Sequence, residues 1–382
     1  MDNTIRNSKI DDLVHALQEQ KLKKYDVITP GKDIVMMDGK FIIDGIEAEP
    51  NKLFADLQID VPAESLILTP SEYFHGQMAE KMQIPKNYYD KCLIQKGNLL
   101  SDQVNYWLKN SGKNYMIRSF KDVDSPNGYA RAFLSDRFKT IDNFDILITA
   151  LDEIKNFPNI QIEACDLSET KMYVRFFDPT IEVSAPELLK NYRNPQTGNT
   201  DSGNTIISGF TLTNSEVGAG GFSISPRGII LACSNGMTQK QDQLRRVHLG
   251  EKQDTGFIQW SDETDIQNLR LIQSQTKDAI RTFLSPEYWN KVIDRITEKA
   301  VLPLDHPLEC TKNVCKSLSL SDKQTENVLN YFMDGGQRNR FGVVQAVTFL
   351  AHETENSDLQ YSLEEQAMEL IPVMDKYDIV NK

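Results

Sequence analysis

The chain has 382 residues, of which 40% are hydrophobic and 25% are charged, and its formal net charge is −13. This length suggests two or three folding units, and the ordinary composition excludes a wholly disordered chain. The acidic total repels nucleic acid at long range, which argues against a protein that simply coats DNA.

The first residues and the cysteines bear on the compartment. Residues 1–20 lack the apolar core of a secretory signal, and no run approaches the roughly 18 apolar residues of a membrane span. Five cysteines, an odd number spread thinly, do not form a disulfide framework, so we expect reduced thiols. Cys310 and Cys315, with only His306 nearby, are too sparse for a zinc site. We expect a cytoplasmic protein without metal or cofactor, in the host cytoplasm if it is phage-encoded.

The N-terminal region, residues 1–65, is predicted to hold a helix and a small sheet. Apolar residues at helical spacing between residues 9 and 24 predict an amphipathic helix. Short alternating runs follow in residues 33–60, where Asp38-Gly39 is a hairpin signal.

A helical subdomain is predicted for residues 66–112. Ser71 is suited to cap its first helix, and Glu72 suits the positive end of that helix dipole. Pro85 ends the first helix and opens a second, and a third helix is expected over residues 99–108.

The central region, residues 113–250, changes to the alternating period of strands, so we expect a β-rich core of antiparallel hairpins. A helix at residues 141–154 and a long polar connection at residues 181–204 interrupt the strands. The predicted strands cover residues 114–120, 130–138, 160–167, 171–177, 207–218 and 221–236. Residues 251–382 return to helical spacing, which predicts a helical C-terminal region. The fold class is therefore α+β, with hairpins packed against helices.

The charges are unevenly distributed along the chain. Residues 351–382 carry a net charge of −6, whereas residues 113–140 and residues 226–252 each carry a net charge of +3. The basic middle and the acidic end indicate that any contact with nucleic acid lies in the middle.

Basic and aromatic residues lie together in the first central hairpin. Arg131, Arg137 and Lys139 alternate along one predicted strand, which places them on one face, and Arg118 joins them from the partner strand. With Phe133 and Phe138 as stacking rings, such a face is suited to single-stranded nucleic acid. The alternative is a solvated face whose arginines pair with Asp122, Asp136 and Asp142.

Small polar residues mark the ends of the later strands. Asn214 and Ser215, together with Asn235 and Gly236, are placed to contact a phosphate or a base, or else they form tight turns with Gly218 and Gly236 at positive φ. Cys233 ends an apolar strand and is expected to be a buried thiol rather than a nucleophile. Further basic residues either contact a nucleic-acid backbone or lie in a solvated loop. These residues are Arg227, Lys240, Arg245, Arg246 and His248.

Five blocks of the sequence together resemble a known family. They are LSDRF at 134–138, Ile141-Asp142-Asn143, NSEVG at 214–218, CSNGM at 233–237 and GVVQAVT at 342–348. In this order they are similar to domain-of-unknown-function family 932, described as phage- or plasmid-like proteins, over about residues 66–350. Gln345 stands where that family carries an asparagine, which puts any role of that asparagine in doubt. The resemblance implies a mobile-element context and no known reaction.

Catalytic patterns are weak. The sequence has no phosphate-binding GxxxxGK[ST] loop and no GxSxG elbow, and Glu216 with Asp242 is a poor candidate for a metal-dependent nuclease. We therefore expect a protein that is not an enzyme. The leading hypothesis is an oligomeric single-stranded DNA binding or annealing protein of recombination or replication, similar in outline to ring-forming annealing proteins. The alternative is an anti-defence or host-interaction protein that acts through protein contacts.

Overall fold

The computed structural model describes residues 4–46, 64–122, 125–200, 204–230, 235–246 and 262–379. Within these ranges the chain forms two β-sheets with helices packed on them, which confirms the α+β class. Among these residues, no helix is both long enough and apolar enough to cross a membrane.

The first elements of the chain divide between the two sheets. Strand β1 (Ile5–Ser8) belongs to the larger sheet, and helix α1 (Ile10–Lys23) follows it, as the helical spacing predicts. The chain then enters the smaller sheet, sheet I, through β2 (Lys24–Pro30), β3 (Ile34–Met37) and β4 (Lys40–Ile46). Asp38 and Gly39 both take positive φ in the β3–β4 turn, so the predicted hairpin is confirmed.

Sheet I has six strands in the order β2-β6-β7-β5-β4-β3, completed by β5 (Glu64–Pro70), β6 (Asn114–Lys121) and β7 (Asn127–Ser135). Its pairs are antiparallel except for the parallel pair of β5 with β7. The two edge strands, β2 and β3, are separated in sequence only by the short 3-10 turn Gly31–Asp33. Because so few residues cannot span a flat sheet of this width, sheet I must curl.

Three helices cover one face of sheet I. They are α2 (Glu72–Lys81), α3 (Lys86–Gln95) and α4 (Gly97–Asn110). The Ser71 hydroxyl accepts a hydrogen bond from the Phe74 amide at 3.0 Å, so the predicted cap is confirmed, and Pro85 immediately precedes α3. The helices share one core with the strands. The predicted boundaries after residues 65 and 112 therefore fall within a single packed unit.

The larger sheet, sheet II, has seven antiparallel strands. It contains β1 and the strands β8 (Gln161–Leu167), β9 (Met172–Ser184), β10 (Thr205–Asn214), β11 (Phe222–Ile230), β12 (Asn235–Thr238) and β13 (Leu244–Arg246). Helix α5 (Asn143–Ile154) connects the two sheets at the position that its spacing predicts. Part of the predicted polar connection is instead ordered structure, because β9 extends to Ser184 and the short helix α6 (Pro186–Leu189) follows.

The helical C-terminal region is confirmed from residue 262 onward. Its helices are α7 (Asp262–Phe283), α8 (Pro286–Ala300), α9 (Pro307–Ser317), α10 (Asp322–Asp334), α11 (Arg340–Glu353) and α12 (Ser357–Leu370). Helix α7 joins α1 and α5 on the apolar face of sheet II, whereas α8 to α12 build a second core against strand ends. Helix α11, which contains the GVVQAVT block, is buried on nearly every side.

Candidate nucleic-acid interface

The predicted site residues Arg118 and Arg131 lie in a buried ion cluster between the two sheets, here called the Glu216 cluster. Its members are Lys24, Asp26, Arg118, Arg131, Asp142 and Glu216. The Glu216 carboxylate, in the β10–β11 loop, accepts hydrogen bonds from Lys24 Nζ at 2.7 Å, Arg131 Nη1 at 2.9 Å and the Asn143 amide at 2.8 Å. The NSEVG block therefore holds both sheet I and the start of α5.

Arg118 occupies the centre of this cluster and is only 1% exposed. Its guanidinium donates to Asp26 Oδ2 at 2.9 Å, to Asp142 Oδ1 at 3.1 Å and to the Glu216 carbonyl at 2.9 Å. The pairing with Asp142 was one of the alternatives that the sequence left open. The burial of Arg118 was not expected, because the face was predicted to be exposed in either case.

The charges in the Glu216 cluster balance, with three cations facing three carboxylates. Burial alone raises the pKa of Glu216, but the adjacent cations of Arg131 and Lys24 outweigh it and hold that pKa well below its usual range. For Arg118 the signs are opposite. Burial lowers the pKa of its guanidinium, but the neighbouring carboxylates of Asp26, Glu216 and Asp142 outweigh burial and raise that pKa above its usual value. Since both arginines already pair internally, neither presents a free charge to a phosphate.

The prediction that Arg131, Arg137 and Lys139 share one strand face is wrong. Strand β7 ends at Ser135, and Asp136 and Arg137 form a turn. Arg137 is exposed there, whereas Lys139 is half-buried beyond the turn. The alternation required for a common face stops because the chain reverses toward α5.

Phe133 and Phe138 do not form a stacking surface for bases. Phe133 is fully buried and stacks on Tyr115 with ring centroids 4.5 Å apart, while Phe138 packs in a small core with Leu134 and Val217. Both rings are therefore part of the protein interior, because α2 packs against Phe133 in one core and the NSEVG loop packs against Phe138 in a separate one.

Asn214 is a buried connector rather than a ligand contact. Its Nδ2 donates to the Ile141 carbonyl at 2.7 Å and to Asn143 Oδ1 at 2.9 Å, which ties β10 to the start of α5. Gly218 takes φ +83°, as the turn alternative required. Gly236 does not take positive φ. It lies in β12, where an added Cβ would overlap the Arg227 guanidinium.

Arg227 belongs to a second buried network, beneath α12. It pairs with Glu163 and, through Nε, with Glu364 Oε2 at 3.1 Å. Its guanidinium is fully buried, and although burial lowers its pKa, the two carboxylates raise the pKa above its usual value. Like Arg118, Arg227 is therefore not available to an external ligand.

The remaining predicted basic residues lie near the surface. Lys240 faces Glu369 at 3.5 Å, Arg246 donates to Gln275 at 3.1 Å, and Arg245 is exposed. Asn235 begins β12, but its side chain lies outside the described residues, as do Cys233 and His248.

Glu216 and Asp242 serve different networks. Asp242 accepts from Tyr288 Oη at 2.8 Å and pairs with Arg295, whereas Glu216 has the partners given above. The structure therefore gives no support to a joint metal site for these two carboxylates. In the part of the chain that the structure describes, no group of three or more His, Cys, Asp or Glu side chains is placed to hold a metal. Burial raises the pKa of the Cys310 thiol to about 12 and of the Cys315 thiol to about 11, which disfavours reactive thiolates.

An exposed aromatic surface lies instead on the helical layer of sheet I. Tyr88 on α3 and Tyr106 and Trp107 on α4 line an open groove of about 450 Å3, here called the aromatic groove. Its other lining residues are Gln83, Ile84, Pro85, Asp102 and Gln103. Among the described residues these are the most exposed aromatic side chains, at 42% for Tyr88, 60% for Tyr106 and 50% for Trp107.

The rings of the aromatic groove contact their neighbours, and the groove lies within a lysine-rich segment, although the one charged residue among the described residues that line it is Asp102. The Tyr106 and Trp107 rings meet edge to face with centroids 5.2 Å apart, and Gln103 donates to Tyr88 Oη at 3.3 Å. Residues 86–113 carry five lysines and two aspartates, a net charge of +3. Lys91 and Lys109 are exposed and follow Tyr88 and Tyr106 by three positions, which places them on the same helix faces.

The spacing of apolar residues on α4 contains a partial signal for this groove, which the pattern of basic residues in the strands does not. On α4, the buried residues Leu100, Val104 and Leu108 repeat every four positions. Tyr106 lies opposite that stripe, so the spacing leaves this ring on the solvent side of the helix, whereas Trp107 follows Leu100 by seven positions and lies at the edge of the stripe.

No protein-family model matches the chain, and neither the curated proteins nor the solved structures contain a match. The resemblance to domain-of-unknown-function family 932 therefore stays a prediction, carried only by the five sequence blocks.

Proposed function

We propose that the protein binds single-stranded DNA through the aromatic groove, as an oligomeric binding or annealing protein of phage or plasmid recombination or replication. It acts in the cytoplasm and by binding rather than by catalysis. The observation that carries the proposal is the convergence of Tyr88, Tyr106 and Trp107 in one groove within a lysine-rich segment.

Exposed rings and lysines supply the two interactions that single strands require. Unpaired bases stack on aromatic side chains, and each stacked base contributes about 1–3 kcal/mol with little dependence on sequence. Lysines beside the rings contact phosphates and release counterions, which makes the binding sensitive to salt. A duplex keeps its base faces inside its own stack, so this surface favours a single strand.

The local charge of the groove segment reconciles DNA binding with an acidic protein. Residues 86–113 carry +3 within a chain of net charge −13, so phosphates are attracted only close to the groove. At longer range the whole molecule repels DNA, so one groove alone binds weakly. We propose that the chains form a homo-oligomer with the shape of a ring. Several grooves would then contact one strand, and the overall affinity for that strand would exceed the affinity of a single groove.

The test is the binding of a labelled oligothymidylate, followed by fluorescence anisotropy at low and rising salt. The wild-type chain should bind at low salt and release the strand as salt increases. A triple variant, Tyr88→Ala with Tyr106→Ala and Trp107→Ala, should lose about tenfold or more in affinity. Leu22→Ala is the matched control, since Leu22 is 81% exposed and lies in α1, outside the groove.

The outcomes separate the possible functions. If the triple variant binds like the wild type and circular dichroism shows both folded, the groove is not the interface. Failure of the wild type to bind single strands at low salt would overturn the DNA function itself. Loss of a host-protein contact in the triple variant, without any DNA binding by the wild type, would favour the interaction protein.

A further inference from the structure

The polar face of sheet II encloses a small cavity under α12. Side chains alternate between the two faces of the sheet, so Phe176 and Phe210 enter the apolar core, and Arg175 and Thr211 point to the other face. Arg175 and Thr211 are paired in register on neighbouring strands. The side chains of Gln360 and Glu364 on α12 close the cavity from above.

The size of this cavity limits its occupant to one very small molecule. It leaves about 10 Å3 for the centre of a water-sized sphere. About 10–15 Å3 by this measure is enough for a single water molecule. Sulfate, a nucleotide or an organic ligand is therefore too large.

Two buried polar groups at the cavity have no partner within the protein. Thr211 is 0% exposed and its Oγ1 makes no hydrogen bond, and Arg175 is 6% exposed with its Nε unbonded. The other end of the Arg175 guanidinium is engaged, since Nη2 donates to Asp166 at 2.5 Å. A buried polar group that loses its hydration without gaining a hydrogen-bond partner destabilises the fold. We therefore expect each of these two groups to have a hydrogen-bond partner inside the cavity.

The charges around the cavity favour a neutral occupant. The carboxylates of Asp166 and Glu364 disfavour an anion, and the guanidiniums of Arg6, Arg175 and Arg227 disfavour a cation. The occupant must accept a hydrogen bond from Arg175 Nε, and the Thr211 hydroxyl is able to donate or accept. Water meets both requirements.

We propose that one buried water molecule occupies this cavity and completes the polar layer between sheet II and α12. It accepts a hydrogen bond from Arg175 Nε and shares a second one with Thr211 Oγ1. The helix thus docks on the sheet through a hydrated contact as well as through the ion pair of Glu364 with Arg227.

The test compares two threonines on the same strand. Thr211→Val removes a hydroxyl that only the water would satisfy, whereas Thr213→Val removes one that is bonded to Ser223 at 2.7 Å. With the water present, each variant should lower the folding equilibrium constant roughly three- to tenfold in urea titrations. If the cavity is dry, Thr211→Val should leave that constant unchanged or raise it, while Thr213→Val still lowers it.

A high-resolution crystal structure of the full wild-type chain gives an independent readout. We expect a density peak within hydrogen-bonding distance of Arg175 Nε and Thr211 Oγ1 that is absent in Thr211→Val crystals. Empty density in the wild type would overturn the proposal. An anomalous peak at this position after a bromide soak would also overturn it, because the occupant would then be a halide.

Discussion

The Glu216 cluster and the aromatic groove use charged and aromatic residues in opposite ways. In the cluster, Arg118 and Arg131 are buried and neutralised by carboxylates from distant parts of the chain. In the groove, the side chains of Tyr106 and Trp107 remain at least half exposed. Basic residues in a strand therefore do not identify a binding face unless their internal partners are known, whereas large exposed rings have no such internal use.

Among the substitutions that distinguish the Glu216 cluster from the aromatic groove, Glu216→Gln is expected to cause the largest loss of stability. The substitution keeps the shape but leaves the buried cations of Arg131 and Lys24 without their carboxylate, which should cost about 3–5 kcal/mol of unfolding free energy. Urea denaturation measures this loss. The control Glu298→Gln changes an exposed carboxylate and should leave the midpoint in place. A Glu216→Gln protein as stable as the wild type would contradict the structural role of the cluster.

A pH dependence is expected in the helices beneath the groove. His75 contacts Tyr89 Oη at 2.8 Å, and burial, aided by Lys86, lowers its pKa to about 4. In the unfolded chain the His75 imidazole takes up a proton near pH 6.5, whereas in the folded chain it stays neutral until about pH 4. The stability that neutral His75 contributes is therefore complete above pH 6.5 and is lost as pH falls toward 4.

The full loss at His75 amounts to about 3 kcal/mol, on the basis of about 1.4 kcal/mol for each pH unit between the two pKa values. Thermal unfolding of wild type and His75→Gln across pH 7 to 4 measures it. The variant should show a shallower decline of stability. Parallel curves for the two proteins would show that His75 does not titrate in this way.

Single substitutions in the groove should affect binding more than they affect stability. Trp107→Ala removes one stacking ring and should weaken oligothymidylate binding by about 1–3 kcal/mol. Because Trp107 is half exposed, urea unfolding should show a smaller loss of stability than Glu216→Gln does. A variant that loses stability but keeps its affinity would place Trp107 with the structural residues instead.

The smallest effect is expected from the exposed arginines that the sequence pointed to. Arg137→Glu with Arg245→Glu should change the unfolding free energy by no more than about 0.5 kcal/mol, since both side chains are on the surface. The affinity for oligothymidylate should fall only slightly, because the two substitutions make the protein more negative and so increase its long-range repulsion of phosphates. If the affinity fell as much as in the groove variants, the DNA interface would lie on the central hairpins and not in the aromatic groove.

Local chemistry allowed much of the fold to be predicted from the sequence. The cap at Ser71, the helix start after Pro85 and the Asp38-Gly39 turn depend on neighbouring residues, and each was found where expected. The parallel pair of β5 with β7 was not predictable in this way. It joins strands on either side of three helices, and no local pattern specifies such a pair.

The site was harder to predict because its determinants are distant in sequence. Arg118 is buried by Asp26 and Glu216, which lie 92 and 98 residues away. The polar face of sheet II likewise has the alternation of a solvated strand, and only the packing of α12 shows that Arg227 is covered. Periodicity states which residues share a face but not what lies against it.

Ultraviolet crosslinking of a single strand to the wild-type protein tests the central claim most directly, since it forms bonds only at bases in contact with side chains. After digestion, mass spectrometry should locate the crosslinks at Tyr88, Tyr106 and Trp107. Crosslinks concentrated in residues 127–139 or 235–246, with none in the aromatic groove, would contradict the account.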